Sequence, residues 1–259
     1  MAMLEIDGVS KRYGGLQAVK DVTLRVGKGE IVSLIGPNGA GKTTLFNLIT
    51  GFARPDSGRV RLEGEDVTGL SPEAVARHGM VRSFQITNVF ANMPVIENLR
   101  LASYLRMRSP LLSDVFGLRS ARDRAARTMK EANGILDLVG LARFRDTPAK
   151  RLAYGQLRLL EIAIALCVRP RLLLLDEPAA GLNSREGEKL TELLRRLRDG
   201  RGLTVLLVEH DMDLVMSVSD RVVVLNFGEK IAEGTPAEVK ENPQVIEAYL
   251  GTPFEEEAA

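Results

Sequence analysis

The stretch Glu30-Ile31-Val32-Ser33-Leu34-Ile35-Gly36-Pro37-Asn38-Gly39-Ala40-Gly41-Lys42-Thr43-Thr44 decides the fold. From Gly36 to Thr43 it fits the pattern G-x-x-x-x-G-K-[ST], and it sits where that pattern has a mechanism, after an apolar strand and at the opening of a helix over Lys42–Thr50. Glycines let successive backbone N–H groups turn inward around phosphate oxygens, and a helix N-terminus adds partial positive charge. Lys42 then supplies a point charge for the β- and γ-phosphates, and the Thr43 hydroxyl a ligand for Mg²⁺. At average residue usage, a chance match in a chain this long has odds on the order of one percent. A glycine-rich turn without chemistry is the weaker reading.

Outward from this loop, apolar and β-branched runs at Met80–Phe84, Leu172–Leu175, Thr204–Val208 and Arg221–Leu225 read as further strands. Several lack the alternation of a half-exposed sheet, which predicts a mostly parallel sheet buried on both faces. Helical stretches at Gln156–Val168 and Arg185–Arg198 make the class α/β. The first 30 residues and Gly58–Glu63 alternate more clearly and read as edge strands. A hairpin is expected around Phe227-Gly228-Glu229, followed by a helix start at Thr235-Pro236-Ala237-Glu238. Asn92–Ala149 has helical spacing, few strand formers and prolines at Pro94, Pro110 and Pro148. It reads as a helical subdomain (92–149) inserted into an α/β core (1–91 and 150–259), the whole forming one domain.

Composition bounds the partners. Thirty-five Lys and Arg against 34 Asp and Glu leave a net charge of +1, so no global field favours nucleic acid or an anionic membrane. Arg100–Lys130 carries eight basic residues against Asp114 and Asp123. With only Tyr104 and Phe116 interleaved, a solvated helix face is the better reading than a nucleic-acid platform. The single cysteine, Cys167, lies in an apolar helix and reads as a packed small hydrophobe. Glu5 and Asp7 stand where a secretory signal would need an apolar stretch, which makes the cytoplasm the default compartment. The longest apolar runs fall far short of the roughly 20 residues that span a bilayer, so service to a membrane would go through a partner.

The strand Leu172–Leu175 ends in adjacent carboxylates, Asp176 and Glu177. The carboxyl ends of parallel strands are where doubly wound sheets place ligands. Alone, such a pair is an ordinary strand exit. Beside a phosphate loop, Asp176 fits the role of orienting Mg²⁺ through its water shell, and Glu177 that of polarising an attacking water, a task worth about 10²–10⁴ in rate.

Together with Leu152-Ala153-Tyr154-Gly155-Gln156 and with His210 just after Thr204–Val208, these motifs resemble the nucleotide-binding domain of ABC transporters, over essentially the whole chain. Leu160-Glu161-Ile162-Ala163 and Pro178-Ala179-Ala180-Gly181-Leu182-Asn183 look most like the ATP-binding subunits of branched-chain amino-acid importers. The resemblance implies a RecA-like P-loop NTPase fold with an antiparallel β edge and an inserted helical subdomain. It implies an ATPase that uses ATP and Mg²⁺ to drive an importer. Tyr13 would stack on adenine, and the loop Gly36, Pro37, Asn38, Gly39, Ala40, Gly41, Lys42, Thr43 and Thr44 would hold the phosphates. Gln85 would touch Mg²⁺ and the attacking water, and His210 the γ-phosphate. His78, the other histidine, reads as solvent-facing.

Ala153, Tyr154, Gly155 and Gln156 would act in trans, facing the phosphate loop of a second ATP-binding subunit. Here the sequence departs from the common L-S-G-G-Q form: Ala153 has no hydroxyl and Tyr154 replaces a glycine, while Asn183 stands where many members carry aspartate. The implied partners are a second, different ATP-binding chain, transmembrane permease subunits and, indirectly, a solute-binding protein, at the cytoplasmic face of the membrane and without nucleic acid. Val89, Phe90, Met93, Val95 and Ile96 could meet the permease or pack the helical subdomain, and both readings stay open. A soluble ABC ATPase working on nucleic acid or ribosomes would bring tandem domains, a coiled coil or a basic arm. A GTPase would bring Asn-Lys-x-Asp. The sequence has none of these.

Overall fold

In the computed structural model, which describes residues 2–83, 89–106 and 119–250, the alternating N-terminal segments form two long strands, β1 (Ala2–Tyr13) and β2 (Leu16–Gly27). With β4 (Ser57–Leu62) and β5 (Glu65–Asp66) they make an antiparallel sheet of order β2-β1-β4-β5. Register places Leu4 opposite Val26 and Leu62, and Ile6 opposite Leu24 and Val60, so one face is apolar along its length.

The second sheet has the order β10-β9-β3-β8-β7-β6. Its members are β3 (Ile31–Ile35), β6 (Met80–Arg82), β7 (Leu172–Asp176), β8 (Thr204–Val208), β9 (Arg221–Asn226) and β10 (Glu229–Gly234). β3 runs parallel to β8 and β9, β8 parallel to β7, and β10 returns antiparallel along β9. The unalternated strands are explained by cover on both faces. On one side, Leu34, Leu174, Leu206 and Val223 pack with Leu4, Ile6 and Leu24 of the first sheet and with Leu45 and Phe46 of α1 (Lys42–Ile49). On the other, Ile35, Val222 and Val224 pack with Val215, Val239 and Val245. Leu174 is fully buried, and truncating it to alanine should cost about 2–5 kcal/mol.

Turn chemistry follows the sequence. Phe227 and Gly228, with φ of 45° and 81°, are the paired left-handed residues of a two-residue hairpin turn. Thr235 caps α8 (Pro236–Lys240), its hydroxyl accepting from the Glu238 N–H at 3.3 Å while the Glu238 carboxylate accepts from the Thr235 N–H at 2.7 Å. The preceding helices are α2 (Pro72–Arg77), α3 (Val95–Arg106), α4 (Arg119–Leu138), α5 (Tyr154–Cys167), α6 (Ser184–Arg201) and α7 (Met212–Val218), and α9 (Pro243–Leu250) follows.

The chain forms two compact units. One holds both sheets and comprises the residues up to Val81, Arg171–Ala180 and the residues from Leu194 on. The other comprises Arg82–Pro170 and Gly181–Leu193 and is helical. In it α3 packs on α4 and α5. Asn98 is buried in this unit, accepting from the Phe90 N–H at 2.8 Å and donating to the Pro94 carbonyl at 3.0 Å, which fastens the entering segment to α3. Val95 and Ile96 are buried, so these two pack the helical unit, whereas Phe90 is half exposed. Cys167 is buried, as its apolar helix predicts.

Candidate functional site

The loop between β3 and α1 is shaped by glycines at two points where no side chain fits. Gly36 has φ of 150° and a Cβ there would lie 2.1 Å from the Leu225 carbonyl oxygen; at Gly41, with φ of 97°, it would lie 2.4 Å from that of Ala18. The loop is braced from outside. The Gly228 N–H donates to the Ala40 carbonyl at 3.0 Å, and the Gly228 carbonyl accepts from the Lys20 N–H at 2.8 Å, so the β9–β10 turn is tied to both loop and β2. Ala40 is buried, Pro37 and Thr44 are half-buried, and Asn38, Gly39 and Thr43 are exposed.

Lys42 is 8% exposed, and its ammonium donates to the Gly36 carbonyl at 2.6 Å and the Pro37 carbonyl at 3.0 Å. Burial pushes its pKa below the ordinary 10.5, against the pull of the Glu177 and Asp176 carboxylates. The loop thus stores a desolvated cation bonded only to neutral acceptors, an arrangement that an anion would improve.

Asp176 ends β7 opposite Val208. Glu177 follows with φ of 47°, in the left-handed region, and its N–H donates to the Val208 carbonyl at 2.8 Å. That turn carries the Glu177 carboxylate, half exposed, to 3.7 Å from Nδ1 of the exposed His210. Two residues far apart in sequence are therefore neighbours, because β7 and β8 are adjacent parallel strands that end together. Nothing in the sequence singles out Glu209. It is fully buried, and its carboxylate accepts from the N–H groups of Ala179, His210 and Asp211 at 2.7, 2.9 and 3.2 Å. The only signal is a charge placed directly after the apolar run Val205–Val208.

Thr43 and Asp176 offer hard oxygen donors, and among the described residues no group of three or more His, Cys, Asp or Glu forms a metal cage. That donor set fits an ion that keeps its waters and takes the remaining ligands from substrate phosphates, as Mg²⁺ does. Gln85 lies outside the described residues. Tyr13 is half exposed at the end of β1, with the Lys11 ammonium 5.4 Å from its ring centroid. His78 is bonded through Nδ1 to the Ala74 carbonyl at 2.8 Å, with its side chain about one third exposed.

In the helical unit, Ala153 occupies the N-cap position of α5 in extended conformation. The Gln156 side chain accepts from the Ala153 N–H at 3.0 Å, but alanine has no oxygen to return the bond. Tyr154 is half exposed; its hydroxyl accepts from Arg158 at 2.5 Å and the same guanidinium covers its ring. Gly155 is buried behind it. Asn183, in place of the aspartate the motif usually carries, accepts from the Glu186 N–H at 3.1 Å while Glu186 accepts from the Asn183 N–H at 3.1 Å. The amide acts as a helix cap.

Comparison with known proteins bears on this geometry. The family model described as ABC transporter matches residues 19–180, and one described as branched-chain amino acid ATP-binding cassette transporter matches residues 229–255. The chain is 47% identical to the high-affinity branched-chain amino acid transport ATP-binding protein BraF of Pseudomonas aeruginosa, over 96% of this chain and 98% of that protein. It is 45% identical to the corresponding LivG of Escherichia coli over the same shares. Among solved structures, the ADP conformation of an ATP-binding cassette of an ABC transporter superposes with a TM-score of 0.84 at 33% identity, covering 97% of this chain and 99% of that one. A nucleotide-free ATP-binding cassette gives 0.83 at 33% identity, covering 97% and 100%.

Proposed function

Because the chain belongs to the ABC transporter family of ATP-binding proteins, we propose that it is the ATP-hydrolysing, energy-coupling subunit of an importer for branched-chain or other small amino acids. One observation carries the site assignment: the buried Lys42, in a loop that only glycine can form, shares a site with Asp176, Glu177 and the adjacent His210. The names of the relatives carry the solute class.

On binding, the Lys42 donors leave the Gly36 and Pro37 carbonyls for β- and γ-phosphate oxygens, exchanging neutral acceptors for charged ones at a largely buried position. The backbone of Gly36 to Thr44 cradles the phosphates, and Tyr13 stacks on adenine, a contact worth about 1–3 kcal/mol. Thr43 and Asp176, with Gln85, would hold Mg²⁺, which would supply positive charge against the β- and γ-phosphates. Glu177 orients the water for in-line attack and accepts its proton, and His210 holds the γ-phosphate.

The segment Ala153, Tyr154, Gly155 and Gln156 faces the nucleotide of a second ATP-binding subunit, offering backbone N–H groups at the start of α5. Ala153 cannot add a hydroxyl, and one hydrogen bond to a charged acceptor is worth about 1.5–3 kcal/mol. The second subunit is therefore a different chain that carries the hydroxyl, so that the site built on this chain's Lys42 and Glu177 is complete. No helix among the described residues is long and apolar enough to cross a membrane. We place the chain, as one nucleotide-binding domain with a helical subdomain over 92–149, at the cytoplasmic face through permease subunits, with a solute-binding protein as indirect partner and no nucleic acid.

The test is reconstitution with permease, partner ATPase and binding protein in vesicles. MgATP should drive uptake of radiolabelled leucine, outcompeted by valine and isoleucine. Hydrolysis without amino-acid uptake would refute the solute class, and absence of hydrolysis the enzyme itself.

A further inference from the structure

We propose that Glu209 is a positioning residue for hydrolysis: its carboxylate locks the turn after Glu177 to the turn that bears His210 and so fixes the spacing of those two side chains. The inference rests on the ATPase reading above and assigns it a residue that the phosphate-loop and strand-end motifs do not contain.

Glu209 is fully buried, and its ion-pair neighbour among the described residues is the His210 imidazole, whose Nδ1 lies 3.8 Å from Oε2. A carboxylate this deeply buried is costly unless its oxygens are filled by donors. Here the donors are three backbone N–H groups from two separate segments. Oε1 takes the Ala179 N–H at 2.7 Å, and Oε2 those of His210 and Asp211 at 2.9 and 3.2 Å. Charge-assisted bonds of this length are about twice as strong as neutral ones. One oxygen therefore grips the segment two residues past Glu177, and the other the backbone of His210 itself.

Holding β7 to β8 does not require this. The strands pair as far as Asp176 and Val208, and the Glu177 N–H bonds the Val208 carbonyl at 2.8 Å. Glu209 acts beyond the last ladder bond, where both chains leave the sheet and where Glu177 adopts its left-handed backbone. Without the carboxylate, the buried Ala179 N–H and the part-buried N–H groups of His210 and Asp211 lose their acceptor, and the 3.7 Å approach of Glu177 to His210 loses its brace. The clamp demands two anionic oxygens. Glutamine offers one acceptor and one NH₂ group, so in either orientation an N–H meets a donor. Aspartate keeps both oxygens but is one methylene short of spanning the two segments.

The experiment compares the full chain, assembled with permease and partner ATPase, as wild type, Glu209→Gln and Glu209→Asp, and with each of Glu177→Gln and the double variant E177Q/E209Q. MgATP kcat and KM, calorimetric MgATP affinity and thermal midpoint are measured. For Glu209→Gln, kcat should fall about 10- to 100-fold, the range of residues that orient a reacting shell, with KM and affinity within about threefold. Glu209→Asp should lose several-fold, and it carries the test if the glutamine variant does not fold. The double variant should be no slower than Glu177→Gln alone, since a brace for Glu177 has nothing left to position. A folded variant with kcat within twofold of wild type overturns the role. So does a parallel loss of kcat and affinity, or an additive loss in the double variant, each the mark of a merely structural residue. Wild-type assemblies that hydrolyse no MgATP would overturn the ATPase reading and this role with it, an outcome distinct from hydrolysis that ignores Glu209.

Discussion

Lys42 spends the nucleotide-free state bonded to the Gly36 and Pro37 carbonyls. Lys42→Ala should abolish MgATP binding by calorimetry while circular dichroism stays unchanged, because the substitution takes a charge from a loop and no volume from the core. Its lowered pKa adds a second expectation. In the free protein the charged amine is disfavoured relative to the unfolded chain, so that cost is present at neutral pH. It is relieved as pH rises through the folded pKa toward 10.5, where the unfolded chain binds more protons. A bound phosphate reverses the preference. ATP binding on the alkaline side should therefore take up a proton, read as a binding enthalpy that varies with the buffer's ionisation enthalpy in wild type. Glu177→Gln should keep MgATP affinity and lose turnover by about 10²–10⁴, since an amide cannot accept the proton of the attacking water. Normal single-turnover rates in that variant would defeat the base assignment.

Among the elements, strands were easier to read than helix ends. The run Thr204–Val208 is observed with the bounds its pattern predicts, because a strand covered on both faces admits only apolar or small hydroxyl side chains and ends where a charged residue, Glu209, appears. α5 instead begins at Tyr154, two residues before the predicted Gln156, because the extended backbone of Ala153 starts it without a capping side chain to announce it. That cap is half built, with Gln156 bonded back to the Ala153 N–H. Ala153→Ser should complete the reciprocal pair and raise stability by about 1 kcal/mol, seen as a higher urea midpoint at constant slope. An unchanged midpoint would mean that the serine hydroxyl does not reach the Gln156 N–H. Phe90 and Ile96, alike in the sequence, part company in the structure: Ile96 is core, and Phe90 is half exposed.

At the scale of the whole molecule, the missing hydroxyl at Ala153 becomes a statement about assembly. The purified chain should be mostly monomeric by light scattering and hydrolyse MgATP slowly, and adding permease together with a different ATP-binding subunit should raise the rate. Full cooperative activity with permease alone, insensitive to Ala153→Ser, would refute the mixed pair. The sequence by itself determined the α/β class, the phosphate loop and the strand-end carboxylates, because each is local: a few contiguous residues whose spacing dictates backbone and chemistry together. It could not show why Gly36 and Gly41 are irreplaceable, since the obstacles are carbonyls of Leu225 and Ala18, brought there by other strands. Nor could it show that Lys42 is desolvated or that Glu209 bridges two turns. Those facts were decided only by the tertiary structure, because burial and the convergence of backbone donors depend on which strands lie side by side, and strand order is not written in any one segment.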